Sequence, residues 1–289
     1  MSAYSWLSVL AQGTDAEFRA WGGELNAAFA AVGLVQTADS GQINWATVTR
    51  AGATTTAAGY EIWRTADSSL YYKVEYGSSY GIDWPCVWLT VGQGSNGSGT
   101  LTGQTSTTSS INYMNLPNSS STPYMSYVSA SNSHLTLVWK VGAGNGSFPF
   151  AIATVGKTVD SSGAVVSTGY AVLCLSSVST TISMQCVRTA AVAATRTAQT
   201  SMWVAVPGQP ASSLVGADIQ TYLIWMDMPE VMPFAWGSVF LRSELPPYTT
   251  VSVALVGATS HTYLVLGQAV QHSIATLPSA SYSLLLCYE

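Results

Sequence analysis

The sequence predicts a mainly β protein, with an N-terminal amphipathic helix followed by antiparallel β-sandwich or barrel-like units. Three observations lead there. A helix-start signature stands at Thr14–Glu17. Beyond Gly33 the chain consists of short runs rich in Val, Ile, Thr and aromatics, punctuated by Gly, Ser, Asn and Pro. The 289 residues are 48% hydrophobic and 8% charged, where an average soluble domain carries about 25% charged residues. A surface made of Ser, Thr, Asn, Gln, Gly and aromatics tends to stick to other surfaces, so the composition favours life within an assembly. The length suits one large or two modest domains and allows a core without staples.

Thr14-Asp15-Ala16-Glu17 is a capping box, in which the Thr hydroxyl and the Glu carboxylate satisfy backbone amides reciprocally. Phe18, Trp21, Leu25, Ala28, Phe29 and Val32 recur at helical spacing, and Gly33 supplies a residue able to take positive φ. The spacing predicts a helix from about Asp15 to Val32, about 27 Å long. Its apolar stripe has two readings: it lids a sheet of its own domain, or it is a docking arm. As an arm it would bury Phe18, Trp21, Leu25 and Phe29 against another subunit, with Trp6, Leu7, Val9 and Leu10 as a second apolar patch.

Strands are expected at Ile43–Val48, Tyr60–Trp63, Leu70–Tyr76, Cys86–Val91, Leu135–Val141, Phe150–Val155, Tyr170–Leu175 and Thr181–Arg188. Leu70, Tyr72, Val74 and Tyr76 alternate with Tyr71, Lys73 and Glu75, the period of a half-buried strand. Asp160-Ser161-Ser162-Gly163 is a hairpin turn signal. Gly92–Ser110 and Pro117–Pro123 read as long uncharged loops that neighbours in an assembly would order. Thr189–Thr200 fits a short helix or a packed loop. Further strands are expected at Asp218–Met226, Ser238–Leu241, Val251–Val256, His261–Leu266 and Ser281–Cys287. With a junction at Pro207-Gly208-Gln209-Pro210, the domain reading is a docking arm over 1–35, a β-rich domain over 36–206 and a smaller β domain over 207–289.

Several functions find no support. Three Lys and six Arg, scattered from Arg19 to Arg242, make no basic stripe for phosphate neutralisation, so no nucleic-acid partner is expected. The most apolar stretch, Tyr222–Leu241, is broken by Asp227, Pro229, Glu230 and Pro233, so no membrane insertion is expected. Met1–Gly13 lacks the basic and apolar regions of a signal peptide. Cys86, Cys174, Cys186 and Cys287 lack metal-ligand spacing and read as buried thiols, with a Cys174–Cys186 disulfide left open. Gly92-Gln93-Gly94-Ser95-Asn96-Gly97 matches G-x-G-x-x-G, but neither a helix nor an acid at the required distance follows, so it is a turn.

His134, His261 and His272 stand in no catalytic motif. The carboxylate pairs Glu75 with Asp83 and Asp227 with Glu230 are the candidates for hydrolysis, and a solvated strand face and a Pro-rich loop explain them better. No catalytic, metal or cofactor site is expected, and the chain does not read as an enzyme. Trp45, Trp63, Trp88 and Trp139 read as core. Trp84, Tyr80, Tyr113 and Tyr124, with Tyr71 and Tyr127, are candidates for a recognition surface, because Tyr offers rigid amphipathic area at low entropic cost.

Between Thr14 and Gly92 stand Phe18-Arg19-Ala20-Trp21, Gly33-Leu34-Val35-Gln36-Thr37 running on to Trp45, Gly59-Tyr60-Glu61-Ile62-Trp63-Arg64, Lys73-Val74-Glu75-Tyr76-Gly77 and Trp88-Leu89-Thr90-Val91-Gly92. In this order they resemble the N-terminal region of uncharacterised virion proteins of tailed bacteriophages. The likeness covers about the first third of the chain and brings no catalytic motif. Glu61 and Arg64 read as surface salt-bridge partners of Lys73 and Glu75.

The resemblance implies a structural role in the virion and gives no position in the particle; with the composition, the leading expectation is a structural protein made in the host cytoplasm and placed in the tail, baseplate or fibre host-attachment apparatus. Its expected partners are other copies of itself, as a trimer or higher ring, and other virion proteins. The alternatives are a receptor module binding a host surface glycan and a head decoration protein.

Overall fold

The computed structural model describes residues 2–8, 14–50, 56–78, 85–104, 113–115, 124–140, 150–159, 165–175, 182–189, 192–195, 203–206, 209–210, 219–225, 231–233, 238–241, 246–254, 260–269 and 282–287. The chain begins with strand β1 (Ser2–Ser8) and helix α1 (Asp15–Ala31). The capping box forms: the Glu17 amide donates to Thr14 Oγ1 at 3.2 Å, and the Thr14 amide donates to Glu17 Oε2 at 3.0 Å. At the other end the Val32 amide donates to Ala28 O, and Gly33 takes φ +84° to turn the chain away.

Strands β2 (Val35–Gln36), β3 (Thr56–Arg64), β4 (Tyr71–Ser78), β5 (Pro85–Gly92) and, after a small hairpin, β8 (Tyr113–Asn115) form a five-stranded antiparallel sheet in that order. The hairpin is β6 (Gly94–Ser95) with β7 (Leu101–Thr102). The expected strand at Ile43–Val48 is instead a turn. Asn44 causes this: its Oδ1 accepts from the Ala46 amide at 2.9 Å, and its carbonyl accepts from Thr47 and Val48. The apolar residues there are core-facing without being a strand.

Next come β9 (Tyr124–Ala130), β10 (His134–Lys140), β11 (Phe150–Val159), β12 (Val165–Leu175), β13 (Ile182–Thr189) and β14 (Val192–Thr195). With β1 added outside β9, they make a seven-stranded antiparallel sheet. The hairpin expected at Asp160–Gly163 is present as the β11–β12 pairing, its turn lying outside the described residues. Part of the Thr189–Thr200 segment, read as helix or loop, is strand β14. Cys174 pairs with Ser183 and Cys186 with Ala171, so the two cysteines sit three residues out of register. That offset is about 10 Å along a strand, too far for a disulfide.

The third sheet takes β15 (Trp203–Val206), β16 (Gln209–Pro210), β17 (Ile219–Trp225), β18 (Val231–Pro233), β19 (Ser238–Leu241), β20 (Thr250–Ala254), β21 (Ser260–Ala269) and β22 (Tyr282–Cys287). Its order is β15-β17-β19-β22-β21-β20-β16, with β18 on β17. Because β15 belongs to this sheet, the change of sheet precedes the Pro207–Pro210 segment expected as the junction. That segment contributes β16, an edge strand.

One apolar cluster joins α1 to both of the first two sheets. It includes Phe18, Trp21, Leu25 and Phe29 of the helix, Trp63, Tyr72, Val74, Tyr76, Val87, Leu89 and Val91 of the five-stranded sheet, and Val128, Leu135, Leu137, Trp139 and Val155 of the seven-stranded sheet. Burying each large aromatic contributes about 3 kcal/mol. The helix therefore lids its own sheets. The expected arm over 1–35 is no separate body: β1 pairs along the whole of β9, and the stripe of α1 is enclosed by its own chain.

Candidate functional site

Among the described residues, the most elaborate polar constellation surrounds Glu61, on the helix-facing side of β3. Its side chain is fully buried. Oε1 accepts from Asn26 Nδ2 at 2.7 Å and from Trp45 Nε1 at 2.8 Å; Oε2 accepts from Trp63 Nε1 at 3.0 Å and from the Tyr76 hydroxyl at 2.5 Å. Four donors from helix, turn and two strands thus converge on one carboxylate. Each is neutral, so charge is balanced by hydrogen bonding alone. Burial pushes the Tyr76 hydroxyl well above its ordinary range, aided by the Glu61 charge and hydrogen bond, so it stays a donor.

Glu61 is thus no surface salt-bridge partner. Lys73 pairs with Glu75 at 3.1 Å on the opposite, wetter face of β4, and its ammonium lies 4.9 Å over the Tyr60 ring. Arg64 instead binds the following turn, donating to the Thr65 and Ala66 carbonyls and to Ser68 Oγ.

Around Glu61 the aromatic packing is close. Trp45 meets Tyr76 edge-on at 4.8 Å between centroids, and Phe18 lies 5.7 Å from Trp45. Gly22 lets the indole reach the helix: a Cβ there would sit 1.9 Å from Trp45 Cη2. The turn is strapped to the helix by Arg19 Nη1 donating to Val48 O at 3.0 Å and by the Arg50 amide donating to Asp15 Oδ1 at 3.0 Å.

A second carboxylate, Asp39, orders the Gly-rich segment after β5. Its Oδ1 accepts from Thr37 Oγ1 at 2.6 Å, and its Oδ2 accepts from Ser95 Oγ and from the Gly99 amide, the latter at 3.2 Å. Burial acts to raise its pKa, but the Ser95 and Thr37 hydroxyls and the Gly99 amide outweigh it and hold the carboxyl below its ordinary range. Gly99, at φ +88°, lies where a side chain would strike the Tyr60 hydroxyl. Residues 92–104 are therefore ordered by their own chain, which corrects the expectation of a loop awaiting neighbours. The rest of Gly92–Ser110 and all of Pro117–Pro123 lie outside the described residues, as do residues 9 and 10.

Phe18, Trp21, Leu25 and Phe29, expected as an assembly interface, are at most 1% exposed within the single chain. They present nothing to a partner. Of the recognition candidates, Tyr80 and Trp84 lie outside the described residues. Tyr113 stands in β8 opposite Trp88, and Tyr124 in β9 opposite Ser8. Tyr127 is buried, contrary to its expected surface role, and Tyr71 is half-buried. Trp63, Trp88 and Trp139 are core residues, as the sequence predicts. Cys86 and Cys287 are buried thiols outside any disulfide. His134 is buried at the start of β10 with Nδ1 3.0 Å from Ser131 Oγ. Asp83, Asp227, Glu230 and His272 lie outside the described residues.

Among the described residues, no group of three metal-ligating side chains is present. A cavity of about 270 Å³ lies between the end of α1, the β3–β4 turn and the β9–β10 turn. Its lining includes Thr65, Ser131 and Asn132 and no charged side chain. The Thr65 hydroxyl is already engaged, donating to Asp67 at 2.6 Å. Glu61 is sealed from any substrate, and its geometry fits a tie between elements. One sequence signal does point to it: Glu61 shares strand parity with Trp63, and Trp45, Trp63 and Tyr76 all bring polar tips that favour an acceptor when buried. Comparison of the chain with protein-family models, curated proteins and solved structures finds no match.

Proposed function

We propose that this chain is a structural subunit of a tailed-bacteriophage virion, in the tail, baseplate or fibre host-attachment apparatus, and that it acts by subunit assembly. The observation that carries the reading is a charge content of 8% on a body of stacked antiparallel sheets. Surfaces with few charges incur little desolvation cost when subunits pack over large areas. The resemblance of residues 14–92 supplies the phage assignment. The two carboxylates with the richest hydrogen bonding, Glu61 and Asp39, are occupied in holding the fold, which leaves them no catalytic task.

The test is direct: antibody to this chain, applied to purified particles and viewed by negative-stain microscopy, decorates one defined position. Particles that contain none of the chain overturn the reading. Deleting residues 1–32 is a poor test, because it removes Phe18, Trp21, Leu25 and Phe29 from the core and is expected to unfold the protein.

A second reading, recognition of a host surface glycan, is favoured by Tyr248. The residue is 58% exposed, its backbone sits at φ +65°, and Lys140 lies 5.4 Å over its ring. Loss of host-cell adsorption in a Tyr248→Ala virion supports this reading, and unchanged adsorption removes it.

A further inference from the structure

Among the described residues, the end strands of the sheets are unequal. Those of the five-stranded sheet, β2 and β8, have two and three residues. Strand β14 has four, next to a register shift. In the C-terminal sheet β15 has four, and β16 has two and contains Pro210. Short strands, proline and bulges are the means by which proteins keep sheet edges from pairing with other chains. Strand β1 has none of them. It is seven residues long, pairs with β9 in unbroken register, and contains no charge, proline or glycine. Tyr4 and Ser5 at its middle are exposed.

The order of residues in β1 is a chemical palindrome: Ser2-Ala3-Tyr4-Ser5-Trp6-Leu7-Ser8. Read from either end it runs hydroxyl, aliphatic, aromatic, hydroxyl, aromatic, aliphatic, hydroxyl. An antiparallel pair of identical strands centred on Ser5 sets Ser5 opposite Ser5, Tyr4 opposite Trp6, Ala3 opposite Leu7 and Ser2 opposite Ser8. Like chemistry then meets like across every position, and aromatic cross-strand pairs are among the favourable ones. A two-fold pairing also duplicates any charge near its axis, and this segment has none.

We infer that the outer edge of β1 is a docking surface for β1 of a second copy, joining two seven-stranded sheets across a two-fold axis through Ser5. The inference rests on the assembling-subunit reading and makes the basic unit a two-fold dimer. A ring built through this edge would need a different, matching edge on each neighbour, and the other sheet ends described are two to four residues long.

The test uses purified full-length chain in sedimentation-velocity experiments over a range of concentrations. Wild type is expected to sediment as a dimer. Ser5→Lys and Ser5→Glu, each placing like charges together on the axis, are expected to sediment as monomers with unchanged far-UV circular dichroism. Mixed together, they are expected to regain the dimer, since Lys then faces Glu. Ser5→Cys guards against misfolded charge variants: antiparallel strands hold facing Cα atoms about 4.5–5.5 Å apart, within disulfide range. Mild oxidation is therefore expected to link two copies. A wild-type monomer at every concentration, an oligomer indifferent to Ser5→Lys, or a mixture that stays monomeric overturns the inference. Because no particle is involved, that failure is distinct from an absence of the chain from virions.

Discussion

Strands β4 and β10 have similar lengths and similar apolar content, yet they are buried differently. In β4, Tyr72, Val74 and Tyr76 are fully enclosed while Tyr71, Lys73 and Glu75 remain half-exposed. In β10, every residue from His134 to Trp139 is buried. Leu135, Leu137 and Trp139 join the core shared with α1. The alternate face meets the C-terminal segment, where Lys140 Nζ donates to Leu266 O at 3.2 Å. A strand wet on one face keeps its polar groups in water, whereas one covered on both satisfies most of them internally, although Trp139 Nε1 is buried without a hydrogen-bond partner. Thr136 and Thr154 accordingly pair hydroxyl to hydroxyl at 3.2 Å. On the helix side of β3 the same problem has an ionic solution in Glu61.

That contrast between an ionic and a neutral buried tie can be broken experimentally. Glu61→Ala leaves two indole N–H groups, a phenol and an amide without their acceptor, and is expected to cost about 4 kcal/mol, in the range for stranding partners of a buried charge. Urea denaturation followed by tryptophan fluorescence measures it; a loss near 1 kcal/mol would make the carboxylate a minor contributor.

The next effect concerns two adjacent glycines of α1. Gly→Ala in an open helix position stabilises by about 1 kcal/mol, and Gly23, with nothing near its missing Cβ, should behave so. Gly22→Ala drives a methyl into the Trp45 ring and is expected to destabilise by about 2 kcal/mol. Opposite signs in thermal melts of the two variants would establish that the Trp45 contact, and not helix propensity, governs this face.

In the seven-stranded sheet, Thr136→Val strands the Thr154 hydroxyl and is expected to cost about 1 kcal/mol. The double change Thr136→Val with Thr154→Val should recover most of that loss, a non-additivity read from a double-mutant cycle. Asp39 supplies the smallest effect. Its carboxyl is held below the ordinary value of 3.8, so its contribution is present above that pH and is lost as pH falls through the lowered value. The stability gap between wild type and Asp39→Asn should therefore be constant near neutrality and close only in strong acid, as a pH series of urea melts would show.

Legibility in the sequence followed solvent exposure. Strand β4 was readable because its wet face keeps Lys73 and Glu75 and so preserves the period of two. The capping box was readable because its partners lie within one turn. Asn44 misled the strand expectation at Ile43–Val48: apolar spacing resembled a strand, while a local side-chain hydrogen bond made a turn. Glu61 was missed as a core residue because an acid in a strand ordinarily marks the solvent side. Its four donors come from positions 26, 45, 63 and 76, and only the fold collects them.

The sequence by itself determined the mainly β class, the capped N-terminal helix and most strand centres, since those depend on local hydrogen bonding and on periodicities of two and 3.6 residues. It also set the scarcity of charge. Tertiary structure alone decided that the helix stripe is core and not a docking surface, that Glu61 and Asp39 are internal ties, and that β1 is the end strand of its sheet. The reason is physical. An apolar stripe specifies that it must be covered, but burial is non-directional and does not specify by what; only long-range packing selects the partner.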